Sequence, residues 1–397
     1  MNDAFIIPYL NQVAATSIPY ENCMLTNIVD HIGDVLKADA YVAYLVEAVW
    51  AAYTLKQKFA TGLTYLDQVE IPSLYKQSDS LDSNMNFLDI YNHFTAKAML
   101  KKVDKIITTD EPLQNLIQEE YSFKDIISIA NYPYYHKLRV NNQASIRKLC
   151  SATDSDILIL YPNSIDSTSQ FEIIILDWLA QLPLHFKMVF VGFIPSNYLQ
   201  ELNSYVEKTG IRDRITFLGE CEHSSITELY SGADFSFICL NPENPPNYLA
   251  LSNTIFDCIN ARLPILSYDV PTHKFYIEQY KIGEVFSLEE QPAQVPNIIK
   301  QFASKLAIYR NNLENAASSL TWEAQEDKFL RFIGYPKTVT FIGKYDLSNN
   351  SRTLRMAQTL VNLGTKVNIV TTNDPKEPIK HINYYNIHTY FRQYLST

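Results

Sequence analysis

The stretch Ala233–Asp269, ADFSFICLNPENPPNYLALSNTIFDCINARLPILSYD, shows how the whole chain is built. Asp234–Leu240 is a short apolar run with aromatic and β-branched content, suited to a buried parallel strand. Asn241–Leu251 is rich in Pro and Asn and reads as a loop. Ser252 or Asn253 caps a helix whose apolar side is Ile255, Phe256, Cys258 and Ile259. Pro264 stops that helix, and Ile265–Tyr268 opens the next strand. A polar loop that leaves a buried strand and enters a helix N-terminus is where open α/β sheets hold ligands, anions above all.

Outward from this stretch, strands and helices alternate along the chain. At 397 residues there is room for two domains with full cores. Towards the N-terminus, Ala38–Leu45, Leu63–Asp67, Lys105–Thr109 and Ile126–Ala130 read as strands. Val46–Phe59, Asn86–Lys102 and Pro112–Glu120 read as helices between them. A second series has strands at Asp156–Tyr161, Lys187–Gly192, Arg214–Leu218 and Gly283–Ser287. Its helices are Phe171–Gln181, Asn197–Thr209, Ser224–Ser231, Gln294–Asn312 and Trp322–Ile333. The expected fold class is therefore α/β, two Rossmann-like doubly wound parallel sheets facing a cleft, the default place for a ligand. The tail adds strand Thr338–Gly343, helix Asn350–Leu363 closed by Gly364, strand Lys366–Thr371 and a last strand at Tyr384–Tyr390. It is too short to bury a core by itself, so it must pair with something. The expected domains are 1–150, 151–322, and 323–397 completing the first.

Composition narrows the function. Apolar residues make up 47% and charged residues 19%, which describes a globular chain. The net charge of −10, with no basic stripe, excludes a general nucleic-acid binder. No apolar run approaches membrane-span length, and Met1–Gln12 lacks the basic start of a secretory leader. Cys23, Cys150, Cys221, Cys239 and Cys258 are scattered and odd in number, which suits free thiols in a reducing compartment and not a zinc site. With Gly scarce, at 10 residues, neither G-x-G-x-x-G nor a P-loop occurs, which argues against dinucleotide dehydrogenases and P-loop NTPases.

The ordered set of motifs resembles the GT-B glycosyltransferases, specifically the large retaining family (family 4-like) that uses nucleotide-sugar donors. Ala38-Asp39 and Tyr65-Leu66-Asp67-Gln68-Val69-Glu70 are similar to segments of its acceptor domain. Phe190-Val191-Gly192, Arg214–Gly219, Leu229–Asp234 and Asn260–Pro264 are similar to its donor domain. Trp322–Phe329 resembles its closing helix. The tail Lys337–Arg392 resembles the strand–loop–helix–strand opening that this chain lacks at its start, through Arg352–Ala357 and Gly364–Val367. The resemblance thus implies a circular permutation; a truncated tandem protein or a swapped dimer are the alternatives.

That family holds the donor's diphosphate with an Arg and a Lys after the first donor-domain strand. Here Pro162–Gln170 carries no cation, and Ser252-Asn253-Thr254 stands where a Pro-Asn-Lys is common. Backbone amides at the helix N-terminus remain as anion donors. The resemblance implies donor contacts at Asn163, Tyr248, Ser252, Asn253, Thr254 and Asp257, with Asp257 on the ribose hydroxyls. Lys344, Arg352, Asp67 and Glu70 are candidate phosphate or acceptor contacts. Each has a plainer reading: Asp257 complementing the helix dipole, Ser252 and Asn253 as caps, Asp67 and Glu70 as loop carboxylates, Lys344 and Arg352 as solvated charges.

The function implied is a metal-independent, cofactor-free hexosyltransferase in the cytoplasm or at the inner membrane face. It would move a sugar from a nucleotide-diphosphate donor to a glycan or lipid-linked acceptor, with no nucleophile assignable. The alternatives are a non-catalytic relative that binds a partner glycosyltransferase or a second copy of itself, and a nucleotide-sugar epimerase.

Overall fold

The computed structural model describes residues 20–69, 98–135, 144–165, 171–222, 225–239, 253–287 and 292–390. The chain divides into two compact units, one built from residues 1–131 with 325–397, the other from 132–324. The first boundary thus falls at Asn131, upstream of the expected position near 150.

The described residues open with helix α1 (Tyr20–Ile32), followed by β1 (Ala40–Tyr44), α2 (Val49–Phe59), β2 (Leu63–Gln68), β3 (Lys105–Thr108), α3 (Glu111–Tyr121) and β4 (Ile126–Ser128). α3 starts where it does because the Asp110 carboxylate accepts from Leu113 N and Pro112 sits in the first turn. The second unit contains α4 (Ala144–Leu149), β5 (Ile157–Tyr161), α5 (Phe171–Ala180), β6 (Phe186–Val191), α6 (Ser196–Thr209) and β7 (Ile215–Gly219). It continues with α7 (Ile226–Tyr230), β8 (Phe235–Ile238), α8 (Asn253–Asn260), β9 (Ile265–Tyr268), α9 (Pro271–Tyr280), β10 (Gly283–Phe286), α10 (Val295–Ala303) and α11 (Leu306–Ser319). After α12 (Trp322–Ile333) the tail supplies β11 (Thr338–Ile342), α13 (Ser351–Asn362), β12 (Lys366–Thr371) and β13 (Ile382–Asn386).

Every pairing between these strands is parallel. The first unit holds a seven-stranded sheet in the order β13-β12-β11-β1-β2-β3-β4, the second a six-stranded sheet in the order β10-β9-β8-β5-β6-β7. The central strands are apolar runs buried on both faces, as helix-covered parallel sheets require.

The tail lies inside the first sheet. β11 pairs with β1 in the register Ala40↔Val339 to Ala43↔Ile342, while β1 pairs with β2 on its other side. Side chains fix that register. The Asp39 carboxylate accepts from the backbone N–H groups of Lys337 and Thr338, both at 3.0 Å. Buried Thr340 donates to Leu36 O, and buried Asn368 donates to Val35 O and to Thr340 Oγ1. Asn383 donates in turn to Asn368 Oδ1. A one-residue slip would leave the buried Thr340 and Asn368 without these partners, at a cost of about 1–3 kcal/mol each.

Three expectations need correction. The single helix Gln294–Asn312 is two, because the chain tightens at Ser304 and Lys305, whose N–H groups reach back to Gln301 O and Phe302 O. The break lets Phe302 and Tyr309 stack at 5.1 Å in the core. The last strand ends at Asn386, not Tyr390, since Asn386 Oδ1 accepts from His388 N and residues 387–390 turn helical. Helix α9, unread in the sequence, is started by Pro271 and ended by Lys281 in the left-handed region. Of the expected helix Asn86–Lys102, residues 86–97 lie outside the described residues, and 98–100 are helical.

A chain ending at Tyr335 loses three of the seven strands of the first sheet. In calorimetry the full chain is expected to show a transition for each unit, and the shortened chain to keep only that of residues 132–324.

Candidate functional site

In a doubly wound sheet the ligand crevice opens at the carboxyl ends of the strands where the order reverses. In the second unit that place lies between β8 and β5. Tyr161, the last residue of β5, donates its hydroxyl to Cys239 O, one residue past β8, at 3.0 Å. Pro162 and Asn163 leave the strand here. Pro162 O accepts from Thr254 Oγ1 at 3.4 Å, which sets the first turn of α8 against this loop. Asn163 is buried, and its Nδ2 makes no hydrogen bond among the described residues. Gly192, just past β6, supports the same loop with φ +141; a Cβ there would stand 2.5 Å from Asn163 O, so only glycine permits the approach.

Of the donor residues expected from sequence, Asn163, Thr254, Asn253 and Asp257 therefore lie on the loop after β5 and the first turns of α8. Asn253 is exposed, and Thr254 and Asp257 are half-buried. Ser252 and Tyr248 lie outside the described residues, as does Glu70 of the first unit. Sequence reading missed Glu172. It is buried in the first turn of α5 and accepts from the Tyr198 hydroxyl at 3.2 Å, with the Tyr161 hydroxyl oxygen 3.5 Å from its other carboxylate oxygen. No sequence signal marked it, because the tyrosines it meets come from a separate strand and a separate helix. Burial raises the thiols of Cys239 and Cys258 well above their ordinary range, which makes them poor nucleophiles.

His273, in the first turn of α9, is fully buried. Ser267 Oγ donates to Tyr268 O, so His273 Nδ1 carries the proton and donates to Ser267 Oγ at 2.9 Å. Burial lowers its pKa to about 4.

In the first unit the order reverses between β11 and β1. Lys344 follows β11 and is half-buried, its Nζ 5.9 Å from the Tyr345 ring centroid. Arg352 is not a solvated charge, nor Asp67 a loop carboxylate. They form an ion pair at 2.8 Å, 3% and 1% exposed, joining α13 to the end of β2. Arg352 also donates to Thr108 O at 3.0 Å. Burial raises the Asp67 carboxyl despite the opposing pull of Arg352, and Asp110 is raised the same way. Leu45 ends β1 at φ 64, ψ 162, a backbone region that is nearly glycine-only, and its N–H donates to Asp67 O at 2.9 Å.

No protein-family model matches the chain, and no curated protein matches it in sequence. Solved structures do match. Sucrose-phosphate synthase (tll1590) from Thermosynechococcus elongatus aligns over 80% of each chain at 17% identity, with a TM-score of 0.58. Anabaena Alr3699/HepE in complex with UDP and glucose aligns over 80% of this chain and 83% of its own, at 14% identity and a TM-score of 0.60. WaaG, a glycosyltransferase involved in lipopolysaccharide biosynthesis, aligns over 80% and 96% at 14% identity and a TM-score of 0.52. The fold is that of the GT-B glycosyltransferases. Among the described residues of this GT-B chain, no helix is long and apolar enough to cross a membrane, and no group of three or more His, Cys, Asp or Glu is placed to hold a metal.

Two stability predictions follow from the buried charges. Arg352→Met leaves the Asp67 carboxylate buried and unpaired, and is expected to cost about 3–5 kcal/mol in urea unfolding of the first unit. Adding Asp67→Leu should return most of that loss. For His273, the neutral ring is the folded form, so its contribution is complete above the unfolded pKa near 6.5. It falls as pH drops from there towards about 4. Urea unfolding of the second unit should lose about 1.5 kcal/mol between pH 6.5 and 5 on this account, a component absent in His273→Leu.

Proposed function

We propose that the chain is a glycosyltransferase that takes a nucleotide-activated sugar on its second unit. The observation that carries this reading is the meeting of the loop after β5 with the first turn of α8 at the sheet's reversal point, through Thr254 and Pro162. A helix N-terminus presents backbone N–H groups and a positive dipole end, both suited to a diphosphate. Asp257, less than two turns into the same helix, is assigned to the ribose hydroxyls. UDP is the nucleotide to try first, because the matching HepE structures hold UDP and UDP-glucose. No metal enters the proposal, and retention of configuration follows from the family resemblance alone.

The electrostatics set the expected strength. Neutral hydrogen bonds are roughly half as strong as charge-assisted ones. A site that relies on backbone N–H groups and hydroxyls gives a Kd on the order of 0.1–1 mM. The cation-free loop Pro162–Gln170 and the buried Glu172 beside it favour a second reading, a nucleotide-binding or partner subunit without turnover. Stabilising a leaving diphosphate is the largest demand in such a reaction, and this loop supplies no positive side chain for it.

We also infer that the chain is circularly permuted relative to the family it resembles. The support is β11 lying next to β1 in the position of a first strand, reached from α12 across residues 334–337.

Calorimetric titration with UDP decides between binding and none. Heat of binding with a submillimolar to millimolar Kd is expected, weakened roughly tenfold or more in Asp257→Ala. A folded protein that takes up no nucleoside diphosphate at millimolar concentration would eliminate the transferase reading. Binding without sugar release or transfer from any nucleotide-sugar would establish the second one.

A further inference from the structure

We propose that Gly334 and Tyr335 form a strained hinge through which two copies of this chain exchange their tails, each β11 completing the first sheet of the other copy. The proposal does not rest on the transferase reading.

The tail leaves α12 across residues 334–337 and enters β11 at Thr338. To make that connection Gly334 stands at φ +83 and Tyr335 at φ +53, two left-handed residues in succession. Glycine adopts this backbone freely. Tyrosine does not: its Cβ crowds the carbonyl oxygen there, and Pro336 steers the residue before it towards extended backbone. Packing does not compensate, since Tyr335 is 58% exposed. Nor does any described residue bond to the Tyr335 backbone. Bonds resume on either side of it. Gly334 N–H donates to Leu330 O of α12 at 3.0 Å. Within the tail, Pro336 O accepts from Thr365 Oγ1 at 2.8 Å, and Lys337 O from Lys366 N at 2.9 Å. The strain is thus confined to one exposed joint between two well-bonded elements.

The tail beyond that joint fits any copy of the chain. Asp39 holds the N–H groups of Lys337 and Thr338, Val35 O and Leu36 O accept from Asn368 and Thr340, and Asp67 pairs with Arg352. Each contact joins the tail to residues from the start of the chain, so a second copy offers the identical set. That complementarity commits the tail to a second copy and not to an unrelated protein. In the exchanged dimer only the joint changes. Residues 334–337 run extended over about 13 Å, and Tyr335 returns to the backbone that Pro336 favours. A short hinge under strain is the condition in which exchange competes with closure, and a two-fold dimer relieves two such joints at once.

The test unfolds the full chain in urea, refolds it at high and at low concentration, and separates the products by size-exclusion chromatography with light scattering. A dimer is expected on refolding at high concentration only. After dilution it should return to monomer slowly, at the rate at which the first unit unfolds, because the tail must leave one sheet before it enters another. Two substitutions should move the balance in opposite directions. A Cβ at Gly334 meets nothing within 4 Å, so Gly334→Val strains the closed joint without a clash and should raise the dimer fraction. Tyr335→Gly removes strain and should weaken the dimer about tenfold or more. Circular dichroism melts establish that both variants are folded. Monomer alone from both the unaltered chain and Gly334→Val overturns the proposal. So does a dimer of equal amount in all three chains, or one that dissociates within seconds of dilution, as an ordinary surface contact does.

Discussion

The pairing of β1 with β11 is the constraint on which the rest of the first unit depends. Without it β1 would be an edge strand with a row of open backbone donors and acceptors, a hazard that native sheets avoid. The chain enforces the pairing with polar side chains as well as apolar packing. Asp39 holds the N–H groups that open β11, and buried Thr340 and Asn368 form a relay reaching back to Val35 and Leu36, met from the sheet edge by exposed Asn383. Each of these bonds adds little net stability by itself, but leaving any of the groups unpaired in the core is expensive. The tail is therefore specified for this sheet and this register.

The same logic explains why Asp67 and Arg352 face each other. A buried ion pair is a weak stabiliser when intact and a costly defect when one partner is missing. Here it couples the end of β2 to the first turn of α13, so the crevice side of the tail is positioned by strands from the beginning of the chain. In the second unit the reversal point is organised differently. The Tyr161 hydroxyl crosses from β5 to β8, Gly192 lets the following loop come close, and Thr254 fastens α8 to that loop. The result is an N-terminus directed by neutral hydrogen bonds, in a place where the resembled family employs cations.

Much of this was legible in the chain. Strands β5, β8, β9, β11 and β12 stood out because apolar runs bounded by Gly, Pro and Asn have few other readings. The need for the tail to pair followed from its length alone. What sequence could not show were contacts between residues far apart in the chain. Arg352 and Asp67 each looked like surface charges because a single charged residue carries no sign of its distant partner. Glu172 was invisible for the same reason, since its partners Tyr161 and Tyr198 sit on other elements. Helix α9 escaped because PTHKFYIEQY has no clear 3.6-residue apolar period, its buried positions including Thr272 and His273. The break at Ser304 goes with the stacking of Phe302 on Tyr309, a packing contact that helix propensity does not encode.

The central claim is that the tail is an inner part of its own chain's first sheet. Hydrogen–deuterium exchange at dilute, monomeric concentration tests it most directly. The account predicts that amides of β11 and β12 are protected as strongly as those of β1 and β2, and that all four lose protection together as urea is added. Tail amides that exchange within seconds while β1 and β2 stay protected would contradict it. So would tail protection that appears only as the protein concentration is raised.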